Sequence, residues 1–350
     1  MNSWFTTGLM RWNETENSRE MPWKGEKDPY KIWLSEIILQ QTRVEQGLAY
    51  YNAFIHTYPT VEALAEAADQ DVFKLWEGLG YYSRCRNLLS AARTVVKDFG
   101  GVFPDRYDDI IKLKGVGPYT AAAIASFAYN LPYSVVDGNV YRVLARVFGI
   151  YLPYDLPEGK KHFAKMASDL LDKSCPSLYN QAIMDFGATI CKPKSPACEI
   201  CPFTGQCHAF QHEKVNLLPV KSKKIIIKPR WFYYVLFEKN NQMLVRERKE
   251  KDIWQHLYEF YLMEEQRLIE ENELPALLYK KGVKKKDILS IDISREYLQQ
   301  LTHQHIRGRF LHIRLKDGAA VPEGYQWIAN GDWNLLPFPK YILSYLKEKR

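Results

Sequence analysis

Four cysteines inside a short segment constrain this chain more than any other feature. They stand as Cys191-x6-Cys198-x2-Cys201-x5-Cys207. Four thiolates either close a tetrahedral zinc site or hold a four-iron, four-sulfur cluster. Structural zinc usually draws on two close pairs, whereas here one close pair is flanked by singles at longer spacing. That looser span suits the bulkier cluster, with zinc as the alternative. Pro193, Pro196 and Pro202 stiffen the loop between the ligands. Such a centre is structural or redox-sensing rather than catalytic, because four cysteines leave no ligand position open for substrate. Cys85 and Cys175 stand apart, and a disulfide framework does not suit a large chain whose Met1–Trp12 stretch lacks a secretion signal.

At 350 residues the chain outgrows one core, so two domains are expected. Residues 1–212 read as helical. Asp28-Pro29 looks like an N-cap followed by proline at the first helical position. Further helices are expected over 61–68, 72–77, 83–98, 118–128, 140–148, 159–171 and 178–190, with glycine or proline in most gaps. Residues 213–230 carry Lys221, Lys223, Lys224, Lys228 and Arg230 beside Pro219 and Pro229, which predicts a basic linker. Residues 231–350 change texture. Trp231–Phe237 is aromatic and β-branched, Glu238–Asn241 makes a turn, and Met243–Arg248 returns as a hairpin. Arg309–Leu315 alternates like a strand. A smaller α+β domain is expected there.

The net charge of +7 favours a polyanionic partner, though charge alone is a weak guide. Leu113-Lys114-Gly115-Val116-Gly117-Pro118 sharpens it. Two glycines one residue apart make a tight turn, and the amides of Gly115, Val116 and Gly117 then sit at the start of a helix. Such amides grip a DNA phosphate without reading sequence. A plain interhelical turn is the alternative. Two carboxylates also stand out. Asp137 precedes a helix and reads, on its own, as an ordinary N-cap. Glu36 has Ile32, Trp33, Leu39 and Gln40 as its helical neighbours. A carboxyl on so apolar a face is desolvated and keeps its proton near neutral pH, as a general acid must. A surface glutamate is the competing explanation.

Together these features resemble the helix-hairpin-helix DNA glycosylases, and within them the adenine DNA glycosylases of the MutY family. The matching segments are Trp33–Glu36, Leu39–Thr42, Gly78–Tyr82, the hairpin, Val136–Val140 and the four cysteines. The resemblance implies a mainly α helix-hairpin-helix glycosylase domain with an iron–sulfur cluster loop, plus a smaller α+β Nudix-like C-terminal domain. It implies one 4Fe-4S cluster on Cys191, Cys198, Cys201 and Cys207. It implies that Glu36 protonates adenine, that Asp137 stabilises or traps the cationic sugar, and that Asn139 supports Asp137. Gln41 and Tyr81 look like residues that wedge into the duplex as adenine flips out. Tyr119 falls where similar enzymes that also cut the backbone, such as endonuclease III, carry a nucleophilic lysine, so efficient strand cleavage is not expected. Lys112 and Lys114 lie nearby and allow weak adventitious cleavage.

The C-terminal resemblance is looser. Trp254–Phe260 is similar to the family's leucine-tryptophan-glutamate-phenylalanine segment, with Tyr258 for the tryptophan. Leu301-Thr302-His303 is similar to its phenylalanine-serine-histidine loop, which makes Thr302 and His303 lesion-recognition candidates. Glu264-Glu265 and Glu270–Glu273 lack a catalytic Nudix signature and read as a solvated helix face. The resemblance thus implies a monomer acting on duplex DNA with adenine opposite 8-oxoguanine or guanine, in the cytoplasm with the chromosome and away from membranes. The alternatives are a glycosylase-lyase like endonuclease III, opposed by Tyr119, and a non-catalytic damage sensor, opposed by the presence of both Glu36 and Asp137.

Overall fold

The structure, a computed structural model, describes residues 3–222 and 227–349. The chain divides into two compact units, Met1–Ala67 with Arg86–Lys223 and Ala68–Cys85 with Lys224–Arg350. Residues 68–85, which the sequence assigns to the helical domain, pack instead with the C-terminal unit. The Gln70 amide donates to the Tyr258 hydroxyl at 2.8 Å, the Phe338 amide donates to Glu77 at 2.9 Å, and the Phe73 ring stacks on His256. Nor is 213–230 a separate connector throughout. Val215 and Val220 pack on the first unit's core, and a strand begins at Lys228. Lys223 and Lys224 of that stretch lie outside the described residues.

The helices in chain order are α1 (Ser3–Thr15), α2 (Pro29–Leu39), α3 (Val44–Thr57), α4 (Val61–Glu66), α5 (Asp69–Leu75) and α6 (Tyr82–Phe99). Then come α7 (Tyr107–Ile110), α8 (Pro118–Tyr129), α9 (Gly138–Phe148), α10 (Pro157–Leu170), α11 (Pro176–Thr189) and α12 (His208–Gln211). Proline opens α2, α8, α10 and α11, where its missing N–H costs nothing and its fixed φ suits the first turn. Left-handed Asn130 and Gly149 close α8 and α9. The sequence predicts neither α1 nor α3, yet α1 carries a legible stripe. Phe5, Leu9 and Trp12 are buried at helical spacing against Tyr179, Ile183 and Phe186 of α11 and against Phe203 of the cysteine loop. The Phe5 and Phe203 rings lie 4.8 Å apart, so that loop is anchored in the apolar core.

In the second unit β1 (Lys228–Lys239) is the spine of a mixed sheet. It pairs antiparallel with β2 (Gln242–Glu247) and, past β3 (Tyr258–Glu259), with β4 (Tyr261–Glu265). Beyond β5 (Ile288–Ile293) and β6 (Tyr297–Gln300), it pairs parallel with β7 (Gln304–Gly308) and β8 (Phe310–Leu315). Strand β9 (Gln326–Ala329) joins β2. The predicted 238–241 turn is present, with Asn240 and Asn241 both left-handed, as a tight hairpin of right-twisted strands requires. Strand β1 is buried on both faces. Tyr233, Val235 and Phe237 join Leu274 and Leu278 of α13 (Leu274–Lys280). Tyr234 stacks on Phe310, which stacks on Tyr345 of α14 (Lys340–Glu348). Glu264 and Glu265 are not on a helix face. They end β4, where Phe232 and Tyr233 pair with Glu264 and Met263, and they bond Arg230 and Lys281. Glu270 and Glu273 form a capping box on a short 3-10 turn. No helix among the described residues is long and apolar enough to cross a membrane.

Candidate active site and cysteine loop

Helix α2 delivers Glu36. Its N-cap Asp28 accepts from the Tyr30 amide at 2.9 Å, and Ile32, Trp33, Leu34, Ile37 and Ile38 are buried around it. Because every side of this helix is covered, Glu36 is buried too, at 9% exposure. Desolvation pushes its carboxyl up to about 7 from 4.5, a hydrogen bond from the Tyr119 hydroxyl opposes this, and the Asp137 charge adds to it. Tyr119, in the first turn of α8, is itself raised well above the usual phenol range by burial and by both carboxylates. It is therefore a neutral hydrogen-bond donor.

Asp137 is the N-cap of α9, as the residues alone suggest. One carboxylate oxygen accepts from the Val140 amide at 2.8 Å and the other from the Asn139 side-chain amide at 2.7 Å. Burial raises Asp137 above its ordinary value, while these bonds and the Arg142 charge pull it back. Of the two carboxyls, Asp137 has several groups favouring its anion and Glu36 has one. Glu36 is accordingly the carboxyl that keeps a proton near neutral pH. Glu36, Tyr119, Asp137, Asn139 and Gln41 line one cavity of about 940 Å³.

Two buried arginines of α9, which the sequence analysis does not single out, tie this site to the cysteine loop. Arg142 donates to Asn139 Oδ1 at 2.8 Å, to the Gly187 carbonyl at 2.6 Å and to the Cys191 carbonyl at 2.6 Å. Gly187 is required there, because a Cβ would stand 2.6 Å from Asn139 Cβ. One turn on, Arg146 Nη1 lies 3.5 Å from Cys191 Sγ and also donates to the Lys192 carbonyl. Two arginines four residues apart in an otherwise apolar helix are the sequence signal that marks them.

All four loop cysteines are free of disulfides. Burial pushes the Cys201 thiol up to about 11, and Cys191, Cys207 and Cys198 each add to the rise. Four sulfur donors that repel one another as thiolates fit an iron–sulfur cluster, whose iron offsets that charge.

The hairpin closes through the Val116 amide on the Leu113 carbonyl at 3.0 Å. Gly115 has φ +82°, and a Cβ there would strike Asn87. Val116 is buried, and Gly117 caps α8, leaving the first-turn amides of α8 beside the turn. The two predicted wedge residues share an unusual backbone. Gln41 has φ 59° and Tyr81 φ 48°, in the left-handed region that side chains avoid. Such conformations gather at working sites. Tyr81, in the second unit, is exposed and hydrogen-bonds the Thr302 hydroxyl, with the Arg84 guanidinium over its ring. Thr302 and His303 are exposed at the tip of the β6–β7 hairpin, which the Leu301 amide closes on the Gln304 carbonyl.

Comparison with known proteins covers both units. Residues 34–155 match the HhH-GPD superfamily base excision DNA repair protein family, residues 191–207 the iron-sulfur binding domain of endonuclease III, and residues 232–348 the NUDIX domain. The chain is 33% identical over 304 residues to the adenine DNA glycosylase of Buchnera aphidicola subsp. Baizongia pistaciae, covering 85% of this chain and 83% of that one. It is 40% identical over 224 residues to the adenine DNA glycosylase of Homo sapiens, covering 61% and 41%. Among solved structures it is similar to a thermostable thymine-DNA glycosylase, at 30% identity and a TM-score of 0.56, over 59% of this chain and 95% of that one. A trapped endonuclease III–DNA covalent intermediate shares the fold at 20% identity and a TM-score of 0.53, over 60% and 95%.

Proposed function

The chain belongs to the adenine DNA glycosylases, base-excision repair enzymes that act on adenine in DNA, and on that premise we propose that its substrate is adenine opposite 8-oxoguanine or guanine in a duplex. The observation that carries the reading is the carboxyl pair in one cavity, with Glu36 raised to about 7 and Asp137 held by donors. Glu36 gives its proton to a ring nitrogen of the flipped adenine. The bond from that base to C1′ then breaks, and its electron pair leaves with the base. Asp137 faces the cationic sugar that develops, stabilising it or forming a transient ester. Water adds at C1′, its proton passes to Glu36, and an abasic site remains. Asn139 holds the Asp137 carboxylate in place, and Tyr119 holds Glu36.

Strand cleavage through a Schiff base is not part of this activity, because Tyr119 has no amine to offer. The chain has an iron–sulfur domain, and Cys191, Cys198, Cys201 and Cys207 would hold one 4Fe-4S cluster there. When bound, the cluster supplies charge balance for four thiolates and a fixed shape for the loop. The hairpin amides of Gly115, Val116 and Gly117 take a phosphate, Gln41 and Tyr81 enter the duplex, and Thr302 and His303 meet the base opposite adenine. We place the enzyme, as a monomer, in the cytoplasm with the chromosome.

A single-turnover assay on adenine opposite 8-oxoguanine, read before and after alkali, tests this. The expected product appears only after alkali. Breaks before alkali would point to a lyase and direct attention to Lys112 and Lys114. Tight binding with no product would favour a damage sensor instead.

A further inference from the structure

The cavity at the carboxyl pair is longer than a base-binding cup. Tyr119, Phe127 and Asn130 all line it, and they lie on one stripe of α8. Tyr119 to Asn130 is roughly 16 Å of helix axis, longer than the fused rings of a purine. Helix α11 forms the facing wall in the opposite direction. Its Gly187 packs on Asn139 at the catalytic end, while its Ser177 amide reaches the Asn130 side chain at 3.4 Å at the other end. Met184, Gln181, Leu178 and Ser177 follow one another along this wall at helical spacing. Residues 19, 21 and 23–27 line the passage as well, and their segment is pinned at two points. Arg19 and Lys24 bond the fully buried Asp185, and the Lys27 ammonium donates to the Phe127 carbonyl at 3.0 Å.

The two ends differ in chemistry. The near end holds Glu36 and Asp137 and adjoins the hairpin at the start of α8, whose amides suit a phosphate. The far end presents the Phe127 ring, the half-exposed Leu178, the Asn130 amide and the Ser177 hydroxyl, with the Lys27 ammonium taken up by the Phe127 carbonyl. Apolar faces with a few amide and hydroxyl groups suit a neutral, flat, hydrogen-bonding ring. We propose that the far end of this passage is a binding site for the free purine base, through which cleaved adenine leaves while the abasic duplex still occupies the near end. The assignment rests on the glycosylase reading above. It adds an order of events, in which the base departs before the DNA and by a different opening.

The test uses cluster-loaded enzyme in excess over a duplex carrying radiolabelled adenine opposite 8-oxoguanine. After excision the complex is trapped on a nitrocellulose filter. From wild type the label passes through while the abasic strand stays bound. Leu178→Trp places a large ring in the far mouth and touches neither carboxyl. It should excise within about twofold of the wild-type single-turnover rate and lose the label at least tenfold more slowly. Ser177→Trp, blocking from the neighbouring position, repeats the measurement should Leu178→Trp fail to fold. Leu178→Ala widens the mouth and should release label at least as fast as wild type. Label lost from both tryptophan variants as quickly as from wild type would overturn the exit. So would a wild type that holds its label until the abasic duplex dissociates. Failure of wild type to excise adenine at all would instead strike the glycosylase reading.

Discussion

Each unit buries a glutamate, and the surroundings of the two are opposite. Glu259, fully buried in the C-terminal unit, accepts from Arg246 at 2.7 Å, from Arg248 at 2.8 Å and from the Tyr234 hydroxyl at 3.2 Å. Glu36, in the first unit, faces a cavity and has the Tyr119 hydroxyl as the hydrogen bond that counters its desolvation. A buried carboxylate surrounded by guanidinium groups is a structural knot. One that keeps few donors beside open volume retains a proton to give away. Burial of a carboxyl therefore does not by itself leave it a proton to give; a shortage of donors next to a cavity does, and Asp137, in the same cavity but with several donors, favours its anion. Asp185 makes the same point inside the first unit, where Arg19, Lys24, Asn17 and Gln181 all bond it and it serves as an anchor.

The largest expected effect lies at the group meant to face the cationic sugar. Asp137→Asn keeps the cap on α9 and removes the charge, so single-turnover excision should fall about 10³-fold or more while mismatch binding stays within a few-fold. Excision within tenfold of wild type would remove Asp137 from the mechanism.

Glu36→Gln should slow excision about 10²- to 10⁴-fold. Wild-type excision should be highest below pH 7, where Glu36 holds its proton, and decline above it. Stability follows the same carboxyl. Its folded value of about 7 lies above the ordinary 4.5, so the folded chain binds this proton more tightly than the unfolded one. Stability is therefore lost as pH rises from 4.5 through 7, by up to about 3 kcal/mol. Glutamine has no such proton, so the variant should melt above wild type at pH 8, and the gap should close near pH 4.5. A lower melting temperature across the whole range would show that Glu36 is a structural partner like Glu259.

The same substitution in the other unit should have the reverse sign. Glu259→Gln leaves Arg246 and Arg248 short of their counter-charge and should destabilise the C-terminal unit by about 3 kcal/mol, read as the shift in its denaturant midpoint. A gain in stability there would erase the distinction between the two glutamates. The smallest effect concerns left-handed backbone. Gln41→Gly relieves its φ of 59° and should gain at most about 1 kcal/mol in the first unit, with slower excision as the cost. His256, at φ 69°, bonds Glu247 and stacks on Phe73, so His256→Gly should gain nothing. Equal gains at both positions would mean that the Gln41 conformation is incidental.

Much of this was legible in the residues because the rules involved are local. Proline at a first turn marks α2 and α8, and the same signal at Pro157 and Pro176 starts α10 and α11 two residues before the expected 159 and 178. The apolar neighbours of Glu36 announce its burial, and a G-x-G before proline announces the hairpin. The helix α1 was legible as well, through Phe5, Leu9 and Trp12, but its Thr6, Thr7 and Gly8 obscure the pattern. The acidic run at Glu264-Glu265 misleads for a related reason. Charge says that a residue meets solvent or a cation and says nothing of whether its backbone is helix or strand, which pairing with β1 settles.

What the sequence determined by itself is the inventory and its near neighbours. It identifies the four clustered cysteines, the tight turns, the two carboxylates, the cap on α9 and the change from helical to strand periodicity. These depend on residues a few positions apart, where backbone geometry fixes the spacing. Tertiary structure alone decided the rest. It put residues 68–85 with the C-terminal unit, brought Tyr119 to Glu36 across two helices, joined Asn139 to Cys191 through Arg142, and ran α8 and α11 in opposite directions along one cavity. Each is a contact between residues distant in the chain, whose energy depends on how whole elements pack and has no local pattern to betray it.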